Sequence, residues 1–314
     1  KLINGERWYD TQGNLIQAHG GGILQYGGYF YWYGEDKRLV KGKSAGDLYG
    51  VSCYRSRDLT EWDYLGNALP VNHEEPDHPL YYKKILERPK VLWNEETGKF
   101  VMLMHLDIPD YTYASVGIAV SDHPEGPFCL LDTKHPNGYE SRDMGVYQEQ
   151  DGTAYLLMAS HWNSCMRAVK LTGDYLDFTD SYTYLYPLVG KCESREAPAA
   201  FQKDGRYYCI TSACTGYEPN EADLASADSM LGIWRSLGNP CRGTDAAVTF
   251  HAQSTFVLEL PDGRKLLMLD IWKISDISDS RYVWLPIQWD ESGIPFVTWT
   301  DDWRAALDAA EQQN

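Results

Sequence analysis

The sequence predicts an all-β fold, a five-bladed β-propeller with a central axial pocket, on three observations. Five stretches repeat one pattern: a polar residue, an apolar strand, a tight polar turn and a second apolar strand. They start at His19 (HGGGILQYGGYFYWYG), Glu87 (ERPKVLWNEETGKFVMLM), Asp143 (DMGVYQEQDGTAYLLM), Glu196 (EAPAAFQKDGRYYCIT) and Gln253 (QSTFVLELPDGRKLLML). Successive starts lie 68, 56, 53 and 57 residues apart, a period that marks radially repeated sheets rather than a doubly wound fold. The hairpin turns carry Gly27-Gly28, Thr97-Gly98, Asp151-Gly152, Asp204-Gly205 and Asp262-Gly263, residues that tolerate the positive φ of tight hairpins. In such a closure the first strand of each unit lines the axis. The five leading residues then converge on one small volume, and three of them are carboxylic acids.

Each unit continues into further strands rich in β-branched and aromatic residues. These are VSCYRSRDLTEWDYLG, SVGIAVSDHPEGPF, MRAVKLTGDYL, LASADSMLGIWRS and RYVWLPIQWD, in unit order. A finer signature, Ala-x-Ser…Gly-x-aromatic, recurs within residues 119–128 and 225–234. The tail DDWRAALDAAEQQN has helical spacing and predicts a terminal helix over residues 302–314. No Pro/Gly/Ser linker or low-complexity break interrupts residues 15–300, so the reading is one domain over 1–314.

Bulk properties narrow the partners. Lys and Arg total 28 against 45 Asp and Glu, a formal net charge of −17. That balance argues against nucleic acid and anionic membranes and suits a neutral ligand such as a sugar. There is no run of about 18 or more apolar residues to span a bilayer. The seven cysteines (Cys53, Cys129, Cys165, Cys192, Cys209, Cys214, Cys241) are odd in number and scattered, without C-x-x-C or zinc spacing. Unpaired thiols favour a reducing, cytoplasmic compartment. No signal peptide precedes Lys1, and a leader removed there would make the protein secreted instead.

Several textual motifs fail on inspection. HGGG at 19–22 resembles an esterase oxyanion loop, but no G-x-S-x-G elbow accompanies it. Gly42-Lys43-Ser44 echoes a P-loop, yet Lys37 stands where the first glycine is needed. The acidic loop HEEPDH (73–78) lacks a defined ligand geometry and reads as solvated.

The strand-leading carboxylates Glu87, Asp143 and Glu196 stand apart. Each precedes an apolar strand, where its charge would be partly desolvated. Cleaving a glycosidic bond needs an acid for the leaving oxygen and a second group to activate water or attack. Burial and like-charge neighbours hold one carboxyl protonated near neutrality, so a ring of three acids on an axis fits the task. The competing reading is that each acid merely pairs with its adjacent arginine (Arg88, Arg142 or Arg195). Adjacent strand residues point to opposite faces, so such pairs should not meet. Among the 23 tyrosines and 11 tryptophans, Tyr111 on a loop and Trp272 beyond a strand end are candidate sugar platforms.

At these residues the chain resembles glycoside hydrolase family 43, and within it the exo-β-1,3-galactanase subfamily 24. The resemblance is carried by AHGGGILQYGGYFYWYGE, SRDLTEW, ERPKVLWNEETGKFVM, AVSDHPEGPF, SRDMGVYQEQDGTAYL, REAPAAF and DSRYVWLPI. It implies a five-bladed propeller that hydrolyses with inversion, with Glu196 as general acid and Asp143 as the carboxylate tuning its pKa. Most of the family starts its first blade with a general-base aspartate. Here that region reads IQAHGGGI, with no Asp or Glu. By the same resemblance Gln253 stands where the subfamily offers a glutamine in place of that base. An ordinary amide accepts a hydrogen bond but hardly a proton, so true base catalysis by Gln253 needs an imidic tautomer, with the ionisable Glu87 as the alternative. The favoured arrangement is a pair in which Gln253 positions the water and Glu87 binds the sugar or assists.

The resemblance therefore implies exo-release of galactose from β-1,3-galactan or arabinogalactan-type oligosaccharides, with α-galactose formed first. Glu196, Asp143, Gln253 and Glu87 are the expected catalytic set. His19, Tyr111, Asn163, Thr215, Gly216 and Trp272 are the expected substrate contacts. No metal or organic cofactor is required for this chemistry, with room for a structural ion on the axis. The rivals are an α-L-arabinofuranosidase or β-galactofuranosidase of the sister group, and a sugar-binding propeller without catalysis. A phosphorylase would need free cations for phosphate, whereas Arg88, Arg142 and Arg195 each neighbour an axial acid. A WD40-like scaffold lacks its Gly-His…Trp-Asp repeat.

Overall fold

Hairpins built on the predicted turns organise the chain, and the computed structural model describes residues 1–38, 47–186 and 194–311. The Gly42-Lys43-Ser44 segment and Cys192 lie outside the described residues. Four sheets are four-stranded meanders in which each strand pairs with the next in sequence. The first holds His19–Tyr26, Tyr29–Glu35, Gly50–Ser56 and Asp63–Pro70. The second holds Ile85–Asn94, Lys99–Asp107, Ser115–Ser121 and Cys129–Lys134. The third holds Met144–Gln148, Ala154–Ser160, Cys165–Leu171 and Phe178–Tyr184, and the fourth Arg195–Lys203, Arg206–Ala213, Asp223–Ala227 and Arg235–Gly238. A fifth sheet has three strands, Gln253–Glu259, Lys265–Ile271 and Arg281–Pro286.

The all-β propeller expectation holds, but the count of five does not: the strands form six sheets. In the sixth, Cys241–Arg242 pairs in parallel with Pro295–Thr298, which pairs antiparallel with Gln288–Trp289. The fifth unit was expected to run on through RYVWLPIQWD. Instead Arg281–Pro286 stays in the fifth sheet and Gln288–Trp289 leaves it for the sixth. Strands of two to four residues are too short for hydrophobic alternation to announce them.

The apolar cores lie between neighbouring sheets, as sheets hydrophobic on both faces require. Tyr33, Val51, Met102 and Leu106 fill the space between the first and second sheets. Val116, Met144, Leu156 and Val169 fill the next, and Leu157, Ala168, Cys209 and Ala225 the one after. Ile210, Leu224, Leu267 and Val283 join Cys241, Ile287 and Val297 of the sixth-sheet region in another. The seam between the first and fifth sheets is aromatic. Trp8, Trp32, Trp62, Trp284 and Trp303 are all fully buried there, with Trp8–Trp284 and Trp284–Trp303 centroids 5.0 and 5.1 Å apart. This seam draws the N-terminal segment and the C-terminal helix onto the ring. That helix runs Trp303–Glu311, inside the expected 302–314 range, and Asp302 Oδ1 caps it by accepting from the Ala305 N–H. Residues 312–314 lie outside the described residues.

One irregularity recurs where strands meet the axis. The residue after the leading one is left-handed in the first, second and fourth sheets: Gly20 at φ 59°, Arg88 at 54° and Ala197 at 55°. Register slips there between His19 and Gly22, Glu87 and Lys90, and Glu196 and Ala199. A bulge of this kind re-aims side chains at a sheet's end.

Candidate active site

The leading ends of the opening strands and the loops joining second to third strands enclose a cavity of about 300 Å³. Its wall includes Glu87, Asp143, Glu196, Gln253, Tyr111, Asn163, Gly216 and Trp272, eight of the ten residues expected from the sequence. His19 is not among them. Its ring is completely buried, with Nδ1 3.1 Å from Asp270 Oδ1 and Nε2 3.3 Å from Tyr282 Oη, so it anchors the seam behind the wall. Thr215 is not among them either; its hydroxyl donates to Glu218 O at 2.6 Å.

Glu196 sits at the centre of a dense network. Its Oε1 accepts from Gln253 Nε2 at 3.0 Å, and Asn163 Nδ2 lies 3.5 Å from Oε2. Burial, and after it the charge of Asp143, push its pKa up to about 8. Asp143 Oδ2 accepts from the Ala197 N–H at 3.0 Å and pairs with Arg88 Nη2 at 3.2 Å. Gln253 is saturated. Its Oε1 accepts from Arg88 Nη2 at 2.6 Å and Trp272 Nε1 at 3.0 Å, and its Nε2 also donates to Ser212 Oγ at 2.9 Å. Arginine and indole nitrogens only donate, so the amide has one consistent orientation.

Glu87 occupies a second centre. Its Oε1 accepts from Tyr111 Oη at 2.6 Å, and its Oε2 lies 3.3 Å from His105 Nδ1. Burial alone would raise its pKa, but His105, Lys37 and Tyr111 outweigh that and hold Glu87 well below the usual carboxylate range. His105 is held in turn by Asp107, whose Oδ2 lies 2.8 Å from Nε2. Burial opposes its charge, yet Asp107 and Glu87 bring its pKa up to about 9, so it is an imidazolium at neutrality.

Six wall residues escaped the sequence reading: Glu35, Lys37, Arg88, His105, Arg142 and Tyr217. Glu35 corrects the view that the first unit lacks an axial carboxylate. It reaches the wall from the second strand, where it accepts from the Arg88 N–H at 3.0 Å and pairs with Lys37 Nζ at 2.6 Å. Gly20 makes the space, since a Cβ there would lie 2.4 Å from Glu35 Oε1. The signal was available in register. Glu35 lies opposite His19 and His105 opposite Glu87, and cross-strand neighbours share a face. None of the three arginines bonds its adjacent acid. Arg88 spans Asp143, Gln253 and Ser254 O, Arg142 pairs with Glu140 at 3.0 Å, and Arg195 donates to Thr211.

Lys90, two residues along the strand from Arg88, is buried and donates to Gly20 O at 2.8 Å and Arg88 O at 3.3 Å. A larger depression of about 780 Å³ opens at the other end of the axis and shares no wall residue with the first. Among the described residues no group of three or more His, Cys, Asp or Glu is arranged to hold a metal ion.

Residues 22–295 match the sequence profile of Glycosyl hydrolases family 43. The chain belongs to that family. It is thus a glycoside hydrolase, and its fold is shared with solved members. A GH43 β-1,3-galactosidase solved with galactodeoxynojirimycin is 39% identical, with a TM-score of 0.90 over 96% of this chain and 99% of that one. The exo-β-1,3-galactanase of Phanerochaete chrysosporium, solved with β-1,3-galactotriose, is 34% identical, with a TM-score of 0.85 over 96% of this chain and 67% of that one. The exo-β-1,3-galactanase of Clostridium thermocellum is 34% identical, with a TM-score of 0.83 over 96% of this chain and 65% of that one. The family-43 chain thus spans about two thirds of the length of the last two. Comparison with curated proteins returned no match.

Proposed function

We propose that this glycoside hydrolase releases galactose from the non-reducing end of β-1,3-linked galacto-oligosaccharides, with inversion. The observation that carries the reading is Glu196, a carboxyl in the wall of a small cavity whose pKa burial and Asp143 push up to about 8. About 300 Å³ is at the small end of ligand pockets. The buried Lys90 and the separate depression at the other end of the axis favour one terminal sugar over a chain threading through. Similarity to β-1,3-galactosidases and exo-β-1,3-galactanases supports galactose as that sugar.

In this mechanism Glu196 gives its proton to the glycosidic oxygen as the C1–O bond breaks. Asp143 is a positioning residue: it fixes the Ala197 backbone beside the acid, and its charge favours the protonated form of Glu196. Gln253 Nε2 steadies the acid's oxygen. Water attacks C1 from the opposite side and yields α-galactose.

Glu87 is the acceptor for the water's proton. Gln253 is unsuited, because an imidic hydroxyl at Oε1 would face two groups that only donate, Arg88 and Trp272. A carboxylate held far below neutrality is a weak base in free solution. Its negative charge, however, stabilises the oxocarbenium-like transition state, and the carboxylate takes up the water's proton as the C1–O bond to water forms. Both carboxyls then return to their starting states by exchange with solvent.

Digestion of β-1,3-galactotriose followed by chromatography tests the reading. Galactose and galactobiose should form first, with galactobiose consumed later. Release from arabinofuranosides or galactofuranosides in place of galactotriose would transfer the activity to the sister group.

A further inference from the structure

The loop between Ala154–Ser160 and Cys165–Leu171 carries the most exposed tryptophan among the described residues, Trp162, at 65% of its full accessibility. Three successive non-glycine residues there are left-handed: His161 at φ 53°, Trp162 at 55° and Asn163 at 58°. Such a backbone is strained for residues with a Cβ and persists only where its surroundings enforce it. The enforcement is visible. The Trp162 N–H donates to Glu140 Oε1, Ser164 Oγ donates to His161 O at 2.5 Å, and the His161 ring stacks on Tyr139 with centroids 4.8 Å apart.

One face of the indole is already braced. The Arg142 guanidinium lies over it, 4.2 Å from the ring centroid, and is itself tied to Glu140 and to Tyr111 O at 2.9 Å. The other face remains open. A braced, solvent-facing indole on a strained turn is poor economy for a hairpin, but it is what a sugar-stacking platform needs. Its position also has a direction. The next residue, Asn163, lines the cavity, approaches the acid Glu196, and keeps a buried Oδ1 without a hydrogen-bond partner. Glu196 protonates the oxygen that leads out of the cavity to the leaving sugar, so the residue one step outward from Asn163 flanks that sugar.

We propose that Trp162 is the stacking platform for the leaving-group pyranose, with Arg142 bracing its back and Asn163 Oδ1 accepting a hydroxyl of the same oligosaccharide. β-Galactosides suit it, because the axial O4 leaves H3, H4 and H5 on one apolar face of the ring. The assignment rests on the galactosidase reading above and specifies its aglycone side.

The test compares wild type, Trp162→Ala and Trp162→Phe on two substrates, β-1,3-galactobiose and β-galactosyl fluoride, whose leaving group has no ring to stack. Thermal unfolding of the three proteins is followed in parallel. On galactobiose, Trp162→Ala should lose about tenfold in kcat/KM, chiefly through KM, and Trp162→Phe should recover most of it. The loss on the fluoride should be several-fold smaller. Galactobiose kinetics within twofold of wild type, or equal losses on both substrates, would overturn the assignment. Wild type inactive on both substrates would overturn the galactosidase reading and this assignment with it.

Discussion

Gln253 Nε2 donates to Glu196 Oε1 at 3.0 Å while Gln253 Oε1 is gripped by Arg88 and Trp272. The amide therefore acts as a strut between the acid and the Arg88–Asp143 pair, and its removal should be felt in the acid's titration. Donation to Glu196 favours the ionised form, so Gln253→Ala should raise the acid's pKa further. The basic limb of kcat/KM should move to higher pH, with a loss of about 10–100-fold at the optimum. A pH–rate profile checks both. An unmoved basic limb would show that Gln253 does not touch the acid's proton.

Glu196 sets the wild-type pH dependence. Activity should persist through neutrality and fall as pH passes about 8, where the acid ionises. The same shift carries a stability signature. From an ordinary value of 4.5 the carboxyl rises to about 8 on folding, so the native state binds the extra proton between those values. Stability from this group is complete below the lower value and is lost as pH rises through the upper. Glu196→Gln should therefore gain in Tm relative to wild type at alkaline pH and gain less near pH 4, as read by calorimetry.

Glu87 and Tyr111 should separate charge from contact. Glu87→Gln removes the ionised acceptor and should cost about 10²–10⁴-fold in kcat. Tyr111→Phe removes one hydrogen bond to it and should cost about tenfold. Steady-state kinetics on galactobiose decide this. Near-normal turnover by Glu87→Gln, with Gln253→Ala inactive, would reverse the two roles.

The aromatic seam should govern stability without touching chemistry. Trp303 is fully buried against Trp284, and Trp303→Ala should destabilise by about 3–5 kcal/mol. Chemical denaturation measures that loss. Turnover well below the melting transition should stay near wild type.

The sequence was informative where position in the repeat determines geometry. Glu87, Asp143, Glu196 and Gln253 all lead their strands, and all four reach one cavity. His19 leads its strand too, yet Asp270 and Tyr282 hold its ring behind the wall while Gly20 gives way to Glu35. The alternation rule placed Arg88 away from the axis. The left-handed bulge at Arg88 breaks that rule and sends its guanidinium to Asp143 and Gln253. Trp162 and Lys37 sit on connecting loops, where no periodicity reports which way a side chain faces. The sixth sheet was hidden for a different reason: Cys241–Arg242 and Gln288–Trp289 are two-residue strands far apart in sequence.

Proton NMR of β-1,3-galactobiose mixed with the enzyme, following the anomeric signals from the first minutes, reads the stereochemistry of release before mutarotation blurs it. Inverting release with Glu196 as acid predicts α-galactose at once, with β-galactose appearing only by mutarotation, and no comparable signal from the Glu196→Gln variant. Initial β-galactose, or full turnover by that variant, would contradict it.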